Sequence, residues 1–216
     1  SLLLQLEMQP GAWQSGYSLA AADVNHDRYP DVITGAPNFG FGGDGAGRLT
    51  VYSGKNGAVL RVLQGADTDD QFGLSVAAGD VNGDGCADII AGAPLTDVEG
   101  RQNAGSVFVY SGKDWTVLRR FDGAAAHDVT GVAVAAADFN NDRRADIVLG
   151  AHGADPEGIL DAGSVFVYSG RNGAIIRRLN GVAVGDHFGY SILCETVDRD
   201  RTPDIVTGGI QEETPR

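Results

Sequence analysis

The sequence predicts an all-β fold: a β-propeller of four-stranded antiparallel blades, in about four repeats of ~58 residues. Three observations carry this. One segment recurs four times, each period holds four short strand patterns with no helical pattern between them, and 32 glycines among 216 residues suit tight turns. The chain is 43% apolar, enough for a packed core, so disorder is not expected.

The elements follow in order. Ser1-Leu2-Leu3-Leu4-Gln5-Leu6 aligns by period with Ala174–Leu179, the last strand of a repeat. A lone D strand is therefore expected over 1–8, able to complete the last blade. Repeats are expected at about 15–71, 72–129, 130–187 and 188–216, forming one propeller domain or part of one over 1–216. Each opens on a small-residue strand A: SGYSLAAA, FGLSVAAG, TGVAVAAA, FGYSILCE. Small side chains there fit the crowded centre of a propeller.

The most regular segment comes next. It reads ADVNHDRYPDVITGAP from Ala22, GDVNGDGCADIIAGAP from Gly79, ADFNNDRRADIVLGAH from Ala137 and, more weakly, ETVDRDRTPDIVTGG from Glu195. Its leading positions Asp23, Asp80, Asp138 and Thr196 are 57, 58 and 58 residues apart. Strand C follows as RLTVYSG, SVFVYSG and SVFVYSG, apolar on both faces as face-packed blades require. Asn56-Gly57 and Asn172-Gly173 then predict type I′ hairpins leading to strand D, and Asp114-Trp115 in the second repeat predicts a different turn. The fourth repeat stops after strand B. This leaves a four-bladed ring with a gapped blade, part of a longer propeller, or self-association of two copies into eight blades. A solenoid is the less favoured architecture, because its repeats are usually shorter.

The acidic segment raises a chemical question, since each copy crowds three carboxylates. In the second copy Asp80, Asn82 and Asp84 alternate, Cys86 stands at the seventh place and Asp88 at the ninth. Oxygen ligands at places 1, 3, 5 and 9, with a backbone carbonyl at 7, suit Ca²⁺. The full candidate set is Asp23, Asn25, Asp27, Tyr29 and Asp31; Asp80, Asn82, Asp84, Cys86 and Asp88; Asp138, Asn140, Asp142, Arg144 and Asp146; and Asp198, Asp200, Thr202 and Asp204. Tyr29, Cys86, Arg144 and Thr202 would offer only carbonyls. Thr196 is a weaker first ligand, so binding by the fourth loop stays open. The competing reading is an Asx-rich turn whose side chains cap backbone amides. It explains one copy as well as a metal does, but three full copies in register favour the metal. The donors are hard oxygens, which disfavours Zn²⁺, and Mg²⁺ would keep more water. The four loops hold 12 of the 29 acidic residues, and four Ca²⁺ (+8) would move the net charge from −13 to −5.

A net charge of −13 with no basic patch argues against a nucleic-acid partner. The longest apolar run near the start, Leu2–Leu4, is far short of a membrane span, and no signal peptide is visible. Two cysteines make no disulfide framework and leave the compartment open. No HExxH occurs. Gly73–Ala77 fails GxSxG at its last place, and Gly105–Lys113 has the wrong P-loop spacing. His26, His127, His152 and His187 are scattered in sequence.

The phrase FG…GDVNGDGCADIIAGAP…GSVFVYSG resembles the FG-GAP repeat of integrin α-subunit propellers and their bacterial relatives, with the bacterial branch the nearer. Phe72-Gly73 and Phe188-Gly189 carry FG, while Ser15-Gly16 and Thr130-Gly131 keep only the glycine. Gly35-Ala36-Pro37 and Gly92-Ala93-Pro94 carry GAP; Gly150-Ala151-His152 and Gly208-Gly209 depart. The resemblance implies acidic loops that bind calcium and stiffen the propeller. It also implies an extracellular or cell-surface adhesion or protein-binding role.

The meander order puts the A–B acidic loops and C–D turns at one end, and the B–C and D–A connections at the other. The B–C loops over 38–47, 95–105 and 153–163 differ in sequence, and variable loops on a rigid frame are the expected ligand face. Exposed candidates there are Trp13, Phe39, Phe41, Asp70, Arg101, Asp128 and His187. Arg61, Arg119 and Arg177 form one column of strand D, read as a solvated rim. The expected function is non-catalytic binding of a protein or glycan ligand, with a lectin or an accessory propeller of a larger secreted enzyme as alternatives.

Overall fold

The computed structural model describes residues 15–38, 45–198, 200 and 202–210. The expected strand over 1–8 and the candidates Trp13, Phe39 and Phe41 lie outside the described residues. Among the described residues the fold is all-β apart from one short 3₁₀ turn, Pro156–Gly158. Blade 1 is β1 (Ser18–Ala22), β2 (Asp31–Ala36), β3 (Arg48–Tyr52) and β4 (Val59–Gln64). Blade 2 is β5 (Val76–Gly79), β6 (Asp88–Ala93), β7 (Ser106–Tyr110) and β8 (Val117–Asp122). Blade 3 is β9 (Thr130–Ala137), β10 (Asp146–Ala151), β11 (Ser164–Tyr168) and β12 (Ile175–Asn180). A fourth sheet consists of β13 (Ser191–Glu195) and β14 (Asp204–Gly208). Within each sheet the strands pair antiparallel in chain order, the up-and-down meander the repeats predict.

Why the blades stack follows from strand alternation. Successive side chains of a strand point to opposite faces. Ile89 accordingly joins a core with Ile33, Leu49 and Val51 of blade 1, while Ile90 joins one with Ile147 and Leu149 of blade 3. All seven are fully buried, and each such side chain contributes roughly 1.5–3 kcal/mol of burial. A third core sets Val148, Val165 and Val167 against Phe188, Ile192 and Ile205.

The blade-to-blade seams explain the FG and GAP residues. A Cβ on Gly35 would run into the carbonyl oxygen of Gly73 in the next blade. Gly92 meets Gly131 in the same way, and Gly150 meets Gly189. Phe72 is buried in the first core, and its N–H donates to Ala46 O at 3.1 Å, across the seam. A strand A hydroxyl adds to the closure: Ser18 Oγ donates to Gly73 O at 2.7 Å and Ser75 Oγ to Gly131 O at 2.8 Å.

Two expectations about the outer strands need correction. The Asn-Gly turns are not type I′. Only Gly57 (φ 75°) and Gly173 (φ 74°) have positive φ, and the loops are longer, closed by Gly57 N–H to Ser53 O and by Ser53 N–H to Ala58 O. The second repeat makes this same turn, with Trp115 at φ 65° in the glycine's place and Trp115 N–H on Ser111 O. A bulge just after each turn, with Leu60, Leu118 or Ile176 as the extra residue on strand D, accompanies a longer loop in which only one residue takes the left-handed region. Trp115 tolerates it because its ring packs on the blade 1–2 core. The arginine column is not merely solvated. Arg119 Nη2 donates to Gly170 O and Arg171 O of the next blade's turn, at 3.1 and 2.9 Å, and Arg61 lies over the Trp115 ring at 6.0 Å.

Gly92→Ala should cost about 2–3 kcal/mol through overpacking against the Gly131 carbonyl. Gly100→Ala, with open space around it but φ +80°, should cost only about 1 kcal/mol. Urea-denaturation midpoints of the two variants check the ordering.

Candidate metal centre

The acidic loops join strands A and B of each sheet, and one backbone geometry recurs in three of them. Places 4 and 6 have positive φ: His26 and Arg28, Gly83 and Gly85, Asn141 and Arg143. These alternating left-handed residues curl the loop so that alternate side chains face inward. The place 1 carboxylate accepts the N–H of places 5 and 6. Asp23 takes Asp27 and Arg28, Asp80 takes Asp84 and Gly85, and Asp138 takes Asp142 and Arg143, at 2.7–3.1 Å. The place 3 side chain accepts the N–H of place 5, so Asn25, Asn82, Asn140 and Asp198 all do the same work. The place 5 carboxylates of Asp27, Asp84, Asp142 and Asp200 accept the N–H of Tyr29, Cys86, Arg144 and Thr202.

The ninth residue does more than the spacing indicates. Asp31, Asp88 and Asp146 open β2, β6 and β10 and are 0% exposed. One oxygen accepts the place 2 N–H of Val24, Val81 or Phe139. The other accepts the N–H of Gly54, Gly112 or Gly170 in the C–D turn, at 3.0–3.1 Å. Each carboxylate thus ties the acidic loop to the turn beside it. The recurring YSG after strand C was the sequence signal for this contact. No cationic side chain among the described residues pairs with these three carboxylates. Burial pushes all three carboxyls up, Asp88 to about 6, against the pull of their backbone N–H bonds.

Whether a cation fits is decided by these groups. Among the described residues no three His, Cys, Asp or Glu side chains close on one point. The inward oxygens are instead turned onto the loop's own amides, the arrangement an Asx turn also makes. A carboxylate has about four acceptor positions, so these bonds leave lone pairs free. Each of the first three loops carries hard-oxygen donors at places 1, 3, 5 and 9 around a buried anion without a counter-charge, and this set fits a hard divalent cation. Cys86 is buried and its side chain takes no part in the donor set. The fourth loop differs. Thr196 supplies no place 1 carboxylate, Val197 is 64% exposed where Val24 and Val81 are buried, and Asp204 bonds only Val197 N–H among the described groups.

Neighbouring loops touch. Ala87 N–H donates to Asp23 O at 3.0 Å, Ala145 N–H to Asp80 O at 2.8 Å, and His26 Nδ1 lies 2.8 Å from Gly85 O. At the opposite end, two expected surface residues prove structural. Asp70 and Asp128 are 6% and 7% exposed and cap the D–A connections by accepting the N–H of Asp67 and Ala125. The short Asp-x-x-Asp and Ala-x-x-Asp spacings of tight turns force their side chains inward. Arg101 and His187 are half-buried. A cavity of about 340 Å³ lies between the first D–A connection and the second B–C loop, bordered by Asp67, Asp69, Asp70 and Asp97.

In the presence of a chelator, Asp88→Ala should cost about 3 kcal/mol or more, because three backbone N–H groups lose their acceptor. Asp84→Ala should cost about 1 kcal/mol under the same conditions. Denaturant titration of both variants separates the capping role from any metal role.

Comparison with known proteins agrees with the seams and loops just described. The sequence profile of the FG-GAP repeat matches residues 15–52, 72–110 and 130–168. Integrin alpha-PS2 of Drosophila melanogaster is 34% identical over 166 residues, covering 72% of this chain and 11% of its own length. Phosphatidylinositol-glycan-specific phospholipase D of Bos taurus is 29% identical over 191 residues, covering 76% of this chain and 22% of its own. The chain therefore spans between about a tenth and a quarter of these relatives. Among solved structures, exotype rhamnogalacturonan lyase YesX superposes with a TM-score of 0.58 at 14% identity, covering 90% of this chain and 38% of that one, a likeness of fold alone. With three matched repeats, and with their glycines closing each seam, the chain belongs to the FG-GAP repeat family of β-propeller proteins.

Proposed function

We propose that this chain is a non-catalytic, calcium-stabilised propeller module that binds a protein ligand outside the cell or at its surface. One observation carries the calcium reading. Three equivalent carboxylates, Asp31, Asp88 and Asp146, are fully buried with backbone N–H partners but no cationic side chain. A divalent ion held with places 1, 3 and 5 supplies the missing positive charge and favours the ionised form. Because the loops bond to one another across the blades, ion binding also stiffens the seams. The likeness to integrin α-chains supports the adhesion reading, and the likeness to a phospholipase supports the alternative of an accessory propeller in a larger enzyme. The ligand face is the end opposite the acidic loops, where the B–C loops diverge and the acidic cavity opens.

Chelation should lower the melting temperature by about 10 °C or more, and added calcium should restore it. Elemental analysis should show Asp80→Ala and Asp84→Ala each losing one calcium relative to the unaltered chain. A melting curve indifferent to chelator, or an unchanged calcium count, removes the reading.

A further inference from the structure

The three seams are not equivalent, and the third is built differently. At its centre Ala133 stands where Ser18 and Ser75 donate across the first two seams, so the Gly189 carbonyl has no such hydroxyl. At the acidic end Pro203 stands where Ala87 and Ala145 donate their N–H, and proline has none to give.

What holds this seam besides its apolar core is the B–C and D–A connection. Gly185, His187 and Phe188 donate their N–H groups to Leu160, Asp161 and Ala162 O at 3.0–3.1 Å. Two imidazoles sit there. The His152 and His187 rings are 5.5 Å apart, His187 Nδ1 is 3.3 Å from His152 O, and the Tyr190 ring meets His152 edge-on at 5.4 Å. His152 Nδ1 is buried and has no hydrogen-bond partner among the described residues. Neither histidine is a repeat residue. His152 takes the place of Pro37 and Pro94, and His187 that of Gln71 and Val129.

We propose that the blade 3–blade 4 seam is a proton-sensitive latch, in which charging the His152–His187 pair releases the 160–162 and 185–188 contact on the ligand face. Proton uptake by His152 places a buried positive charge against a second imidazole and leaves a buried charged N–H unpaired. The groups facing the pair are few. Asp161 attracts a charge on His152, His187 opposes it, and Tyr190 presents its ring edge to His152. Asp186, beside His187, is engaged with the N–H groups of Val182 and Ala183. From the preceding connection, the carbonyl of His127 packs on Gly153, next to His152, and Asp128 O accepts Gly153 N–H. Burial and the neighbouring His187 hold His152 below the ordinary imidazole value of 6.5. A depressed histidine stabilises the fold at pH above its unfolded value, and that contribution is lost as pH falls through the folded value. The latch is therefore closed at neutral pH and opens on acidification.

The test is amide hydrogen exchange on the whole chain in one calcium-containing buffer, corrected for intrinsic rates, at about pH 7.5 and about pH 5. Protection of the Gly185, His187 and Phe188 amides should fall about tenfold or more, while Gln71, Phe72, Val129 and Thr130 at the other seams stay within about twofold. His187→Gln, which installs the residue used at Gln71, should abolish the difference, and so should His152→Pro. Equal pH dependence at all three seams, or an undiminished change in His187→Gln, overturns the proposal. These readouts do not depend on whether the acidic loops hold calcium.

Discussion

Everything in this fold depends on how closely one blade's backbone can approach the next. The Gly35, Gly92 and Gly150 α-carbons lie against the carbonyls of Gly73, Gly131 and Gly189. That contact sets the separation of adjacent sheets near the inner strands. At such a separation strand A is mostly alanine and serine, with Val76, Val134 and Ile192 reaching the cores, and the larger side chains of strands B and C fill most of the space between blades. Phe72 then plugs the first seam, and the Ser18 and Ser75 hydroxyls satisfy the glycine carbonyls that the close approach would otherwise leave dry. The motif that names the family is, in physical terms, a spacing device.

The acidic loops combine two roles in one residue. Asp31, Asp88 and Asp146 terminate the orphan amides of two loops, and this requires the ionised form to keep both oxygens as acceptors. Burial opposes ionisation, strongly enough to bring Asp88 to about 6. The conflict is local and recurs in register, so one added positive charge per loop relieves it. The fourth loop keeps three carboxylates but not the context: Thr196 stands at place 1, Val197 is 64% exposed, and Asp204 bonds only Val197 N–H among the described groups.

Strand order, blade count within the described region and the position of every acidic loop were legible in the sequence, because period and alternation are properties of the chain itself. The turn after strand C was misread because Asn-Gly advertises two left-handed residues, whereas the longer loop that accompanies a bulge beside Tyr52, Tyr110 and Tyr168 uses only one. Asp70 and Asp128 looked like surface acids, since nothing in a single sequence marks which carboxylate turns inward to cap its own connection. The pairing of His152 with His187 was hidden by 35 residues of separation. So were the rim contacts of Arg119, whose partners are carbonyls and carry no side-chain signature.

One strand detail has thermodynamic weight. Ile89 and Ile90 are chain neighbours that belong to different cores, as Ile147 and Val148 also do. Strands β6 and β10 are therefore shared walls, and disorder in either is felt on both sides at once. A chain built this way behaves as a row of nearest-neighbour-coupled units rather than as independent modules. Blade 2 is coupled to blade 1 through one face and to blade 3 through the other, so a cavity opened in β6 should loosen both neighbours together.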